Sequence, residues 1–368
     1  MIHRLGSFYL FYFAAVSIYI IFLPKVFSQI GYSPVQIGLL FAVSPIMRFA
    51  MPFLFLYFIP LTRGAFLVSL GTALIAVAGI YVCAYRFWCL LGLLALLGAS
   101  ISVMLPFVEV LALERVGKRY GIARLYGSVG FMVLGLILGQ MTLGLELAMA
   151  NYFGALVMTA LLGVSLASGL PVSTAQHREW QGMRRFSLWA HWPFWTAQFA
   201  VQLSFGAFYS FFTIYEMERG FSLGEVTFFW AFGVAAEIGM FVVQSRFLHL
   251  PLLSLMRFSI GLTVIRWLIL YGFGEEYVMV LASQFIHAFS LALLHTASIS
   301  YLNRIYTDKQ LAQQFYLGIS YGLGGFLGST LAGIFYGEQL FLYAAVVVLA
   351  GFGALFWEHP RRMRFSRL

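Results

Sequence analysis

A few side chains able to carry a charge or exchange a proton stand inside long apolar runs. They are Arg48 in "AVSPIMRFAM", Glu237 in "FFWAFGVAAEIGMFVVQ", Arg266 in "TVIRW", and His287 and His295 in "QFIHAFSLALLHTASIS". An acid at the centre of such a run costs about 2.5–3.5 kcal/mol on membrane insertion, and ionisable groups kept there are by default functional. A carboxylate that exchanges a proton, beside a guanidinium that does not and an imidazole that titrates near neutrality, is the chemistry of a proton-coupling site. The competing reading of Glu237 is an ion pair that only holds helices together. Arg48 has no obvious acidic partner, and an uncompensated buried cation is costly, so an anionic solute could complete the pair. Its alternative is a structural pair with carbonyls or with a carboxylate on a neighbouring helix. His295 follows His287 by eight residues, about 80° around an α-helix and about 12 Å along it, and serves as a cavity wall or a simple hydrogen bonder.

The elements that must hold these groups follow from composition. The chain of 368 residues is 62% hydrophobic, 18% aromatic and 10% charged, where a soluble domain carries about 25% charged residues. Its apolar runs recur from end to end, each long enough to cross a hydrocarbon core of about 30 Å. Twelve spans are expected, near 6–29, 34–58, 64–84, 87–113, 122–143, 146–170, 188–217, 223–247, 251–272, 276–301, 310–336 and 339–357. The first run lacks a small-residue cleavage site and reads as a retained helix. Ser33 before Pro34 offers an N-cap with proline at the first helical position.

Basic residues set the expected orientation. With the amino end inside, seventeen of the twenty-two lysines and arginines fall on the cytoplasmic side, among them Arg4, Arg115, Lys118, Arg119, Arg124 and the four arginines of "RRMRFSRL". Only Lys25, Arg86 and Arg219 fall outside. Both termini are therefore expected in the cytoplasm, and the net charge of +9 is a topology signal rather than a nucleic-acid-binding surface.

The halves also repeat. "GYSPVQIGLLFAVSPIMRFAM" (31–51) lies over "GFSLGEVTFFWAFGVAAEIGM" (220–240) with Gly31/Gly220, Ser33/Ser222, Ala42/Ala231 and Met51/Met240 coincident, and Arg48 falls on Glu237. With a one-residue slip, "SLGTALIAVAGIY" (69–81) lies over "SIGLTVIRWLILY" (259–271). Two parallel six-helix halves with a solute site between them describe an all-α membrane protein of the major facilitator architecture. The expected division is 1–170, a cytoplasmic linker 171–187 ("PVSTAQHREWQGMRRFS"), and 188–368.

The segments "ARLYGSVGF" (123–131), "VAAEIGMF", "VIRW" and "QFIHAFSLALLHTASISYL" (284–302) resemble the phenylpropionate-permease branch of the major facilitator superfamily and, more distantly, lactose permease. The resemblance implies a proton symporter of a small organic solute. It implies solute contacts at Glu109 in "LPFVEV", Arg124 and Phe131, and proton coupling by Glu237, Arg266 and His287 on the eighth, ninth and tenth helices. Three departures stand out. Ser290 occupies the place of a second carboxylate one turn after His287, the seventh helix offers only Gln198 and Gln202 as deep polar groups, and the loop after the second helix shrinks to "FIPLTRG".

The substrate-binding set expected is thus Arg48, Glu109, Arg124, Phe131 and His295, with an aromatic carboxylic acid as solute and a sugar or nucleoside as the alternative. Import is favoured by the resemblance. A lipid-modifying enzyme would need a catalytic cluster in its loops, and a sensor would append a soluble output domain; the sequence shows neither. Helix glycines such as "GSVGFMVLGLILG" serve close packing, and no strand precedes them as a nucleotide loop requires. No metal-ligand spacing or nucleophile triad occurs, so no cofactor and no catalytic residue is expected. The expected partners are the solute, protons and the bilayer, in a cytoplasmic membrane and as a monomer, with no nucleic acid. Cys83 and Cys89 flank one turn; small apolar packing is favoured over a disulfide.

Overall fold

In hydrocarbon no water satisfies a backbone N–H or C=O, so an apolar chain must close its hydrogen bonds within each segment. The computed structural model describes residues 1–57, 62–141, 144–167 and 186–358, and these contain helices and no strands. The elements are α1 (Ile2–Gln29), α2 (Pro34–Tyr57), α3 (Arg63–Val82), α4 (Phe87–Val116), α5 (Tyr120–Gly139), α6 (Leu145–Ala167), α7 (Trp192–Glu218), α8 (Leu223–Val243), α9 (Leu252–Phe273), α10 (Tyr277–Ile305), α11 (Lys309–Ile334) and α12 (Leu340–Ala354). Eleven of the described helices are long and apolar enough to cross a membrane. The remaining one, α7, has 27 residues and is buried along most of its length; its tryptophans, tyrosines and glutamines make it less apolar than the rest. The expected linker falls outside the described residues apart from Phe186 and Ser187, as does the tail after Glu358.

The internal repeat is structural. Gly31 after α1 and Gly220 after α7 have φ of 101° and 97°, a left-handed conformation that glycine adopts without steric cost. Two residues later Ser33 and Ser222 cap α2 and α8. Gln36 accepts from the Ser33 amide at 3.0 Å and Glu225 from the Ser222 amide at 2.8 Å, so both helices begin with a capping box. Packing repeats as well. In the first half α1 lies on α5 and α6, α3 on α4 and α6, and α2 on α4; each contact recurs six helices later, as α7 on α11 and α12, α9 on α10 and α12, and α8 on α10. Across the halves α2 packs on α11 and α5 on α8.

These cross-contacts close one end of the bundle. Gly38 of α2 sits against the Ser329 carbonyl and Gly333 of α11, and Gly139 of α5 against the Thr227 side chain of α8. Further toward the opposite end, Phe131 of α5 meets Trp230 of α8 with ring centroids 6.4 Å apart. Glu109 and Arg124, on that side, are each 34% exposed. At the closed end Cys83 and Cys89 form a disulfide, which corrects the expectation of plain apolar packing. The tight turn from α3 to α4 brings their Cα atoms to 5.9 Å, within the usual range for such a bond.

Where α7 meets α11, Gly206 and Gly328 touch backbone to backbone, and a Cβ on Gly206 would overlap the Gly328 main chain. Gly206→Leu should therefore destabilise the fold by about 1–3 kcal/mol or more, the cost of overpacking, and lower the thermal midpoint of the detergent-solubilised protein. Gly154→Leu, at a position with open space around it, should leave that midpoint unchanged.

Candidate functional site

The ionisable groups of the second half meet through α10. Helices α8 and α9 make few direct contacts, whereas α10 packs on both. Gln284 and His287, three residues apart, stand on one face of α10. The His287 Nε2 lies 2.5 Å from Glu237 Oε1 on α8, and the Gln284 Oε1 accepts from the Arg266 Nη2 of α9 at 3.4 Å. Gly233, one turn before Glu237, leaves room for both α10 side chains to pass. Arg266 is fully buried, and its guanidinium carbon stands 4.2 Å from the Phe208 ring centroid and 4.4 Å from that of Trp267. Cation–π contacts of this kind stabilise a desolvated guanidinium. The ion pair forms between Glu237 and His287, with Arg266 held by Gln284 and set back behind aromatic faces. Phe205 and Phe208 cover the imidazole with centroids at 5.6 and 5.4 Å. The Ser290 hydroxyl is returned to the Ile286 carbonyl.

His295 differs from the ideal-helix expectation. Residues Phe289–Leu293 between the two histidines are in π geometry. A π-bulge places about one extra residue in the turn, so eight residues rotate like seven, offsetting the histidines by about 20° instead of about 80°. Both therefore share one face of α10. The His295 Nδ1 lies 2.9 Å from the Tyr321 hydroxyl, and Tyr321 sits in a second π segment, Leu317–Gly324 of α11. A third, Ile18–Phe22, interrupts α1. π segments recur at functional sites.

In the first half, Arg48 on α2 is exposed, in electrostatic reach of Tyr12 and Tyr19 of α1 and, from the other half, Tyr209 of α7. Among the described residues no carboxylate pairs with it. Arg124 Nε on α5 lies 3.7 Å from Glu109 Oε1 on α4, and its guanidinium carbon stands 4.1 Å from the Phe13 centroid. The Tyr120 hydroxyl donates to Glu109 at 3.4 Å. The structure brings these two expected solute contacts, Glu109 and Arg124, against each other. Phe131 is only 7% exposed and packs on Trp230, forming the floor of the opening.

Sequence reasoning missed several contributors. Tyr209 stacks on Trp230 with centroids at 6.2 Å, and the Trp230 Nε1 donates to the Thr213 hydroxyl at 3.1 Å. A tryptophan in a run of phenylalanines carries no periodic signal of its own. The reading of α7 as lacking a buried acid is also corrected: Glu216 is fully buried near its end. Beyond the membrane-depth groups, Glu358 is buried against His191 and Tyr301, each at 2.6 Å, tying the end of α12 to the start of α7 and the last turns of α10.

Among the described residues Gln284 is the one hydrogen-bond acceptor for Arg266, whose Nε and Nη1 have none. Gln284→Leu should leave the buried guanidinium without a polar partner, at a cost of about 1–3 kcal/mol. A fall in the thermal midpoint, with little change in the Arg266→Met, Gln284→Leu double variant relative to Arg266→Met, would be the expected signature.

Comparison with known proteins gives a consistent picture. The model of the MFS_1 like family matches residues 2–345. The chain is 25% identical over 368 residues to a probable 3-phenylpropionic acid transporter of Escherichia coli strain K12, covering 93% of each chain. It is 26% identical over 373 residues to the uncharacterized transporter YwbF of Bacillus subtilis strain 168, covering 95% of this chain and 91% of the other. Among solved structures it superposes on the nucleoside transporter NupG with a TM-score of 0.80 at 14% identity, over 97% and 99% of the two chains. An auto-inhibited peptide transporter of the POT family matches with a TM-score of 0.72 at 9% identity, over 100% and 98%. At these identities the structural matches speak to the fold.

Proposed function

The chain belongs to the MFS_1 like family and is a transporter of the major facilitator type, and from that premise we propose that it carries a small aromatic carboxylate by alternating access, with proton symport. The observation that carries the solute class is Arg48, an exposed fixed cation in electrostatic reach of tyrosines from both halves, with no acidic partner among the described residues. A planar guanidinium grips a carboxylate with two parallel bonds, and the rings of Tyr12, Tyr19, Tyr209 and Trp230 suit an aromatic body. The name of the E. coli relative points to the same class. Arg124 already engages Glu109, so this pair contributes to the entrance, and Phe131 and His295 to the walls.

Proton coupling is assigned to Glu237 with His287 and Arg266. The Glu237–His287 pair holds one exchangeable proton beside a cation that keeps its own. Loading Glu237 with that proton removes the charge that ties α8 to α10, and that change can be transmitted to the opening through the Phe208 and Trp230 rings on α7 and α8. The two halves, 1–170 and 188–368, rock about the site with 171–187 as a cytoplasmic linker, and the protein works as a monomer. Basic-residue bias supports placing both termini and the open end in the cytoplasm, and the disulfide at the closed end suits an oxidising extracytoplasmic face.

Arg48→Lys keeps the charge and loses the planar fork. At about 1.5–3 kcal/mol for a hydrogen bond to a charged group, apparent affinity for an aromatic carboxylate should fall roughly ten- to hundredfold, as measured by competition in proteoliposomes. The neutral amide of the same solute should compete poorly with the parent protein. Competition by uncharged sugars, with none by aromatic acids, overturns the anion reading in favour of a sugar.

Glu237→Gln should abolish uphill uptake driven by an inward proton gradient while solute exchange at equal pH persists, because the amide retains hydrogen bonding and cannot cycle a proton. Uphill uptake equal to that of the parent would make Glu237 a structural residue.

A further inference from the structure

Glu216 is a buried carboxyl that the coupling site does not use. It is fully buried, and neither carboxylate oxygen has a hydrogen-bond partner. It follows Tyr209 by seven residues on α7, about 20° off the same face and about 10 Å further toward the closed end. That face holds Trp230, which stacks on Tyr209 and donates to Thr213. Trp230 meets Phe131 of the other half, and Thr227, one turn nearer the closed end on α8, meets Gly139. Glu216 thus lies immediately behind the seal between α5 and α8.

The charged and titratable groups at this end of the surrounding elements are few. On its own helix and the following turn, Glu218 accepts from the Tyr336 hydroxyl of the segment after α11 at 2.7 Å, and the Arg219 guanidinium carbon stands 3.5 Å from the Tyr215 ring centroid. From α8, Glu225 is engaged by Ser222. Lys25 lies on α1, Tyr271 on α9, Glu275 and Glu276 before α10, and Glu338 before α12. The cation nearest to Glu216 along the chain is Arg219, whose backbone amide donates to the Glu216 carbonyl at 3.2 Å.

An ionised carboxylate with no hydrogen bond is costly in such a place, so the closed arrangement holds Glu216 as the neutral acid. We propose that Glu216 is a second proton-binding site, taking up a proton as the seal between α5 and α8 closes and releasing it as the seal opens to water beside Arg219. This rests on the alternating-access reading and is separate from the Glu237 site. Its sign is definite. The closed state binds one more proton than the open state, so rising pH favours opening and falling pH favours closure. In a symporter this makes external acid close the loaded carrier.

Spin labels on Val35→Cys of α2 and Phe335→Cys after α11, both exposed at the closed end, report the separation of the halves; the Cys83–Cys89 disulfide takes no label. In nanodiscs between about pH 5 and 9, the ratio of long-distance to short-distance populations should rise with pH by up to about tenfold per unit. Glu216→Gln should stay closed throughout, and Arg219→Gln should move the midpoint to higher pH. Glu237→Gln should keep the pH response while losing uphill uptake, so the two sites are told apart. A parent distance that ignores pH, or a Glu216→Gln protein with the parent's pH response, overturns the proposal and leaves the coupling reading to its own uptake test.

Discussion

A charge carried into hydrocarbon needs a partner at the same depth, and the arrangement of the second half answers to that requirement. Helices α8 and α9 each bring one ionisable group, and they do not pack closely enough to neutralise each other. Helix α10 stands between them, offering His287 to one and Gln284 to the other from a single face. Gly233 makes the approach possible, and the rings of Phe205, Phe208 and Trp267 complete the enclosure of the guanidinium and imidazole. The packing order α8–α10–α9 is therefore as much a part of the site as the ionisable groups themselves.

The symmetry of the bundle gives this arrangement its counterpart. Arg48 on α2 occupies the position that Glu237 occupies on α8, and α2 packs on α4 as α8 packs on α10. Equivalent helices thus present a permanent cation on one side of the opening and a titratable acid on the other. In the proposed mechanism the first receives the solute's carboxylate and the second the proton, so co-transport follows from placing unlike chemistry at like positions. The halves meet through small residues where α2 packs on α11 and α5 on α8, and such residues let helix backbones approach closely.

Departures from ideal helix geometry decide which side chains meet. Three π segments interrupt α1, α10 and α11. In α10 the extra residue turns His295 onto the face of His287, and in α11 it accompanies Tyr321, the partner of His295. Glu216 shows a different limit: in the last turn of α7, it sits where an acid is ordinarily solvated, and only the packing of neighbouring helices buries it.

What the sequence by itself determined was the solvent, the number and limits of the spans, the repeat, and which residues carry charge at depth. Each is a local property: about twenty apolar residues span a bilayer, a capped helix start is read within four residues, and an acid such as Glu237 is conspicuous in an apolar run. The resemblance singled out Glu109 and Arg124 as solute contacts; that they lie against each other is what the structure adds. Only the tertiary structure decided that within the set Glu237, Arg266 and His287 the ion pair is Glu237–His287, that Phe131 packs against Trp230, that Cys83 and Cys89 are joined, and that Glu216 is buried. These depend on which helices become neighbours and on turns wound with one extra residue. No single span contains that information, because it is set by packing between segments far apart in the chain.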